Sequence, residues 1–474
     1  MSVVEIRSYV GEPSRIGSAA FDHVRPVDGT VIGRIFEAGA EGVEAAVRLA
    51  SLVYQANRKT PLHQRVAWLQ AAAAALTANA DEIAALICED VGKPIRSARF
   101  EVRRGADFLL GCASALSQMN GDVLPLDSTA TGEGRFGFTR RVPYGVVAGI
   151  TPFNAPVNLL VQKVGPAIAA GNAIIVKPAP AGTRTALKLA ELFEQAGWPA
   201  GLYIVLAGDR PTAGALVAHP LVRAVSFTGG TAGGDALARA AGAKKFVAEL
   251  GSNAANIVMA DADAADAAKR IAAAAFEASG QQCISAQRVL VHRSILEPFL
   301  EAFVAAAKGM KCGRPDDPTT DIGPMVSKAS ADRVMAMCAD AIKRGASYAL
   351  APTQQQALVT PGIVCQVTRA ARLWEEEVFG PIALVAPFDT VDEALELAND
   401  SPFGLQGSVF THDLGVAFRF IDSFDVGAMW INEASRFRLD LYPFGGVKQS
   451  GVGREGIRYA IDEMSQIKFI GIRP

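Results

Sequence analysis

The chain is poor in the residues that announce metal or redox chemistry. Only five histidines and six cysteines occur in 474 residues, and no two of them stand at a metal-ligand spacing. Cys88, Cys112, Cys283, Cys312, Cys338 and Cys365 are scattered, without a single CxxC. That pattern excludes a dense disulfide framework and a cysteine-rich zinc site, and it leaves reduced thiols. Charge of one sign is missing too. A net charge of −2 gives neither nucleic acid nor an anionic membrane a reason to bind. The longest apolar runs, around Val146–Ile150 and Ile271–Phe276, are far too short to cross a bilayer. Met1 to Arg7 carries neither a basic leader nor a signal-peptide core, so a cytoplasmic protein is expected.

Half of the residues are hydrophobic. At this length one core does not suffice, and two or three domains are expected. The first hundred residues read as helical: Gly42 to Asn57, Pro61 to Asn79 and Asp81 to Val91 carry apolar residues at helical spacing, stopped by Gly92-Lys93-Pro94. Residues 121–142 are polar and glycine-punctuated, with strand-like alternation over Arg135 to Arg141, which predicts a hairpin leaving the main body. From Tyr144 the pattern becomes strand and helix in turn. Strands are predicted at Val146–Ile150, Ala173–Val176, Leu202–Leu206, Leu221–Phe227 and Phe246–Glu249, with helices between. A second series follows, with helices at Asp263–Ala278, Glu297–Gly309, Lys328–Arg344 and Val391–Asn399. Its strands are Arg288–His292, Ala383–Phe388 and Gly427–Ile431, and Met464–Ile472 closes the chain as a strand. Buried strands alternating with amphipathic helices mean parallel sheets, with ligands beyond the strands' C-terminal ends.

Chemistry concentrates at two segments. Cys283 ends Gly280-Gln281-Gln282-Cys283, where a glycine stops a helix and leaves the thiol on a loop. Glu249, in Glu249-Leu250-Gly251, ends a strand beside an apolar wall, which raises a carboxyl toward the range of a general base. A thiol that attacks a carbonyl and a carboxylate that activates water can share a two-stage acyl chemistry. No histidine flanks Cys283, so a cysteine–histidine hydrolase has no local support. Asn154, in Thr151-Pro152-Phe153-Asn154-Ala155-Pro156, follows a parallel strand and is a candidate oxyanion donor. Phe227-Thr228-Gly229-Gly230-Thr231-Ala232-Gly233-Gly234 runs from strand to helix, where glycines let backbone approach a pyrophosphate.

These segments, with Lys177-Pro178, Glu376-Glu377-Val378-Phe379-Gly380-Pro381 and Pro443-Phe444-Gly445-Gly446, resemble the motifs of the aldehyde dehydrogenase superfamily. They stand in that family's order from about residue 20 to the end. The resemblance implies an α/β fold: a Rossmann-type dinucleotide domain (residues 1–120 and 143–251), a catalytic domain (252–445) and a small β oligomerisation element (121–142 and 446–474). It implies NAD or NADP as cofactor, a small aldehyde as substrate, and a homodimer or homotetramer. Cys283 is then the nucleophile, Glu249 the base that deacylates the thioester through water, and Asn154 the oxyanion donor. The cofactor would be bordered by Thr151, Pro152, Phe153, Lys177, Pro180, Phe227, Thr228, Gly229, Gly230, Thr231, Gly234, Leu250, Gly251, Glu377 and Phe379. Lys177 would reach the adenine ribose and Glu377 the nicotinamide ribose.

Two positions depart from the family pattern. Pro180 replaces a glutamate that many NAD-preferring relatives use on the ribose 2′-hydroxyl, which removes repulsion toward a 2′-phosphate. Ser252 replaces a glycine beside Glu249. By the same correspondence the substrate would meet Leu159, Gln162, Ile284, Arg436, Arg438 and Phe444. Two arginines there are candidates for holding an anionic tail, and Arg436-Phe437-Arg438-Leu439-Asp440 resembles lactaldehyde- and phosphonoacetaldehyde-type members. Two rival functions remain at this point: a CoA-acylating dehydrogenase, and a non-enzymatic family member.

Overall fold

The computed structural model describes residues 4–474 except 15, 18 and 19. Its first sheet has five parallel strands in the spatial order Lys245–Glu249, Val222–Thr228, Val146–Thr151, Ala173–Pro178, Tyr203–Val205. Val146–Thr151 and Ala173–Pro178 are buried at every position, as strands covered by helices on both faces must be. The chain lays down the central strand first, adds two on one side, then crosses to add two on the other. That reversal makes a switch point between Val146–Thr151 and Val222–Thr228, where the C-terminal strand ends open a crevice. Thr151 to Asn154 and Thr228 to Gly230 leave the sheet at this crevice.

The second sheet has seven strands: Ser347–Leu350, Gly362–Cys365, Ile382–Phe388, Arg288–His292, Ala255–Val258, Gln406–Phe410 and Ala428–Ile431. All pairings are parallel except that of the first two. Side chains of Arg288–His292 alternate between two apolar clusters, Leu290 in one, Val289 and Val291 in the other, so this sheet has a core on each face. The helices Gly39–Asn57, Leu62–Ala78, Ala80–Val91 and Ile95–Ala115 share one core with the first sheet. No single helix among the described residues is long and apolar enough to cross a membrane.

A third sheet is built from Ser465–Ile472, Phe136–Pro143 and Val123–Leu124, all antiparallel. The predicted hairpin is therefore held by the C-terminal strand along eight residue pairs, Phe136↔Ile472 to Pro143↔Ser465.

Two expectations need correction. The first hundred residues are not wholly helical, because Val4–Ile6, Ala20–Val24 and Val31–Phe36 form a three-stranded sheet. Residues 446–464 do not join the third sheet. Gly451–Val452 pairs with Lys245–Glu249, and the helix Ile457–Glu463 packs on Asn158–Ala170 and Ile95–Ala115. The physical reason is Gly451, whose φ of +151° permits a turn against the backbone; a Cβ there would lie 2.3 Å from the Ala248 carbonyl oxygen.

Candidate active site

Cys283 is presented by a strained turn. The helix Ala264–Phe276 ends, and Ala278, Ser279 and Gly280 follow with φ of +53°, +59° and +64°. Left-handed backbone costs each non-glycine residue about 1–2 kcal/mol, so Ala278 and Ser279 keep it only where surroundings hold them. The Ser279 hydroxyl donates to the Gly323 carbonyl at 2.7 Å. Gly280 is obligatory here, since a Cβ would lie 2.1 Å from the Gly380 carbonyl oxygen. That close approach ties the thiol's loop to the Glu377–Pro381 segment.

The Asn154 amide donates to the Gln281 carbonyl at 2.8 Å, which fixes it beside the same loop. Its second N–H stays free to meet an oxyanion. Burial pushes the Cys283 thiol up to about 12; Arg438 opposes that rise, whereas Glu377, Glu249 and Glu455 add to it. Ile284 and Phe444 form an apolar cluster with Leu405, against which Cys283 and Tyr442 pack.

Glu249 ends its strand fully inside the protein, and neither carboxylate oxygen has a hydrogen-bond partner. Burial, then Glu455, raises its carboxyl well above the ordinary range against the pull of Arg438, Lys163 and Arg454. Such a group is a strong base once ionised. Backbone around it is clamped: the Leu250 N–H donates to the Ser450 carbonyl at 2.8 Å, and the Ser450 hydroxyl to the Gly251 carbonyl at 2.6 Å.

Sequence reasoning missed two members of this site, Lys163 and Glu455. Lys163, in the helix Asn158–Ala170, is completely buried. Its ammonium donates to Thr228 Oγ1 (2.7 Å), Ser226 Oγ (3.1 Å) and Glu455 Oε1 (3.2 Å). Burial works against an ionised Glu455, but Lys163 and Arg438 outweigh it and hold its carboxyl below the ordinary range. The available signal was a lysine inside an otherwise apolar helix, a position that needs a partner. Thr228, expected beside the cofactor, turns its hydroxyl into this ion cluster.

The remaining expected residues fall around the switch point. Thr151 Oγ1 is buried and unpartnered. The Phe153 ring meets Phe379 edge-on at 5.9 Å. Phe227 lies under Gly229 and Gly234, and a Cβ on Gly234 would lie 2.4 Å from Leu250, so these glycines let the helix Thr231–Ala241 sit close. Its first turn has no acidic side chain and no side-chain cap, and space above Gly230 is open. Free amides at a helix start fit a pyrophosphate.

Thr231 Oγ1 accepts the Gly251 N–H at 3.4 Å. Glu377 accepts the Ser252 N–H at 3.0 Å, and burial pushes its carboxyl up to about 7. Lys177 reaches the Gly208 carbonyl at 3.3 Å, and burial lowers its ammonium to about 8 against Asp209 and Glu37. Pro180 opens the short turn Pro180–Gly182 just beyond. Pro152 stands between Thr151 and Phe153 where the chain leaves the sheet.

The two arginines are not free forks. Arg436 pairs with Glu277 and donates to Gln282 Oε1 at 2.9 Å. Arg438 donates to Gln162 Oε1 at 3.1 Å and Glu455 Oε2 at 3.0 Å, and its guanidinium lies 3.6 Å from the centre of the Phe444 ring. Leu159 is buried in the same helix as Gln162. No group of residues that could hold a metal occurs among the described residues.

This arrangement joins a loop thiol, a buried unpartnered carboxyl, an amide donor and a dinucleotide cradle. The aldehyde dehydrogenase family model matches residues 14–470. The chain belongs to the aldehyde dehydrogenase family. It is accordingly an NAD(P)-dependent oxidoreductase with that family's fold. Among curated relatives, 3-sulfolactaldehyde dehydrogenase from Priestia aryabhattai is 40% identical over 86% of this chain and 86% of its own length. Among solved structures, aldehyde dehydrogenase 21 from Physcomitrella patens, in complex with the reaction product succinate, superposes with a TM-score of 0.95. It is 31% identical and covers 100% of this chain and 99% of its own. Glyceraldehyde-3-phosphate dehydrogenase from Methanocaldococcus jannaschii, complexed with NADP, gives a TM-score of 0.92 at 34% identity over 97% and 100%.

Proposed function

We propose that this aldehyde dehydrogenase oxidises a short anionic aldehyde to its carboxylic acid through a thioester on Cys283 that water, activated by Glu249, hydrolyses. What carries the reading is Glu249, a buried carboxyl with both oxygens unpartnered, placed where it acts electrostatically on the thiol.

The Cys283 thiolate adds to the aldehyde carbon, and the carbonyl electron pair moves to oxygen. Asn154's free N–H and the Cys283 backbone N–H hold that oxyanion; such a donor contributes roughly 3 kcal/mol to the transition state. The Thr228–Thr231 turn, Lys177 and Glu377 would hold NAD(P), which would supply the acceptor for the hydride that the former aldehyde carbon gives up as the oxyanion collapses to a thioester. Glu249 takes a proton from water as the water oxygen attacks the thioester carbonyl. The carbon–sulfur bond breaks, and the sulfur departs as thiolate with its electron pair.

The anionic tail rests on the relatives. The names of the three relatives described above include a sulfonated aldehyde, a dicarboxylate product and a phosphorylated aldehyde. Arg436, whose partner Glu277 is only half-buried, is the residue proposed to trade partners and take the tail. Steady-state assays with matched anionic and neutral aldehydes test this. Arg436→Ala is expected to raise KM tenfold or more for the anionic series alone; equal losses for both would remove the tail from the reading. The thioester route is tested by the pre-steady-state burst of reduced cofactor. It is expected without CoA and abolished in Cys283→Ala, and a burst that survives the substitution or demands CoA overturns the route.

A further inference from the structure

A count of fixed charges in the buried cluster does not close. Lys163 and Arg438 are cations and Glu455 is an anion, all at or near zero exposure. Asp440 is balanced by Arg104, which grips it with two hydrogen bonds of 3.0 and 2.7 Å. Burial raises the Glu249 carboxyl well above its ordinary range, which favours its neutral form. While Glu249 is neutral, Lys163 and Arg438 share the one close carboxylate of Glu455, and a buried charge so thinly matched is costly.

The geometry shows which cation is matched less well. Both oxygens of Glu455 are engaged, one by Lys163, the other by Arg438. Lys163 is further solvated by two hydroxyls. Arg438 has less: its Nε is buried without a partner, 3.9 Å from Asp440 Oδ1.

Nor can Arg438 serve as a bidentate clamp for a substrate's tail. Each fork a guanidinium offers to an oxyanion uses Nη2, and here Nη2 already donates to Gln162 and Glu455. The plane of the group is fixed on Phe444. A cation so immobilised acts through its charge. Phe444 belongs with Ile284 and Leu405 to the apolar cluster against which Cys283 packs, so the cation and the thiol adjoin the same small cluster. Glu377, Glu249 and Glu455 face the thiol as well, and each opposes its ionisation.

We propose that Arg438 is a positioning residue for Cys283: seated on Phe444, it supplies the counter-charge that lets the thiolate exist inside the protein. The proposal rests on Cys283 being the nucleophile and adds the source of its reactivity. Arg438 touches neither substrate nor cofactor in this role.

The test is the rate of iodoacetamide alkylation of Cys283 in the full-length protein from neutral to alkaline pH, read by peptide mass without substrate or cofactor. Arg438→Met is expected to slow alkylation about tenfold at each pH, the equivalent of about one unit in the thiol's ionisation. Arg438→Lys, which keeps the charge, is expected to recover much of that loss. Glu455→Gln removes an anion and is expected to speed alkylation. A purely structural role would slow alkylation in both Arg438→Met and Glu455→Gln, or change neither, and either result overturns the proposal. Should Arg438→Met fail to fold, Arg438→Gln, which removes the charge but keeps an amide donor for Glu455, is read in its place, with the same slowing expected and an unchanged rate overturning the proposal. Failure of the parent reading looks different, because Cys283→Ala would then keep its burst whatever the alkylation rates.

Discussion

Lys177 and Glu249 are buried ionisable groups with opposite consequences. Burial lowers the Lys177 ammonium to about 8, so its positive charge is present below that pH and is lost as pH rises through it. An attraction to a 2′-phosphate must follow the same curve. The ratio of kcat/KM for NADP to that for NAD is expected to fall as pH climbs past 8. A flat ratio would mean that Lys177 does not discriminate. For Glu249 burial raises the carboxyl above its ordinary range, so the ionised base gains population as pH rises and deacylation should quicken with pH. Cys283, Glu249 and Asn154 were legible in the sequence because each stands in a short motif with its own chemistry. Lys163, Glu455 and the fixed state of Arg438 were not. Their meaning lies in pairings across 292 and 17 positions, and no local pattern records such a partner.

At the scale of elements, the turn through Ala278, Ser279 and Gly280 decides where the thiol sits. Gly280→Ala combines a φ of +64° with a Cβ 2.1 Å from the Gly380 carbonyl oxygen, a conflict worth on the order of 3 kcal/mol. A lowered melting temperature together with slower Cys283 alkylation is the expected outcome; wild-type values for both would show that the turn is not what places the sulfur. The five parallel strands of the first sheet were readable from periodicity, each a short apolar run bounded by turn residues. In the second sheet only Arg288–His292, Ile382–Phe388 and Ala428–Ile431 were, and Ala255–Val258, Ser347–Leu350, Gly362–Cys365 and Gln406–Phe410 were not. The N-terminal sheet was not, because its three-, five- and six-residue strands carry too few alternations to compete with the helical pattern that follows. The helix ending at Phe276 rather than at Ala278 has the same lesson: nothing local foretells left-handed backbone at an alanine and a serine.

At the scale of the whole molecule, one outer strand is both long and apolar. Ser465–Ile472 is an outer strand of the three-stranded sheet and exposes Ile467, Phe469 and Ile472. An apolar open edge of eight residues invites pairing with another chain, in keeping with the homo-oligomer expected from the sequence. Replacing Ile467 and Phe469 with lysine is expected to yield monomers by light scattering, and an unchanged mass would place the subunit contact elsewhere. The two larger sheets meet at the site, which takes Glu249, Lys163 and Asn154 from the first and Cys283 and Glu377 from the second. Their division of labour has one direct test, the intact mass of Glu249→Gln after mixing with aldehyde and NAD(P). The account predicts a full equivalent of acyl adduct on Cys283 that persists because deacylation has fallen about 10²–10⁴-fold. Turnover at the wild-type rate with no adduct would contradict it.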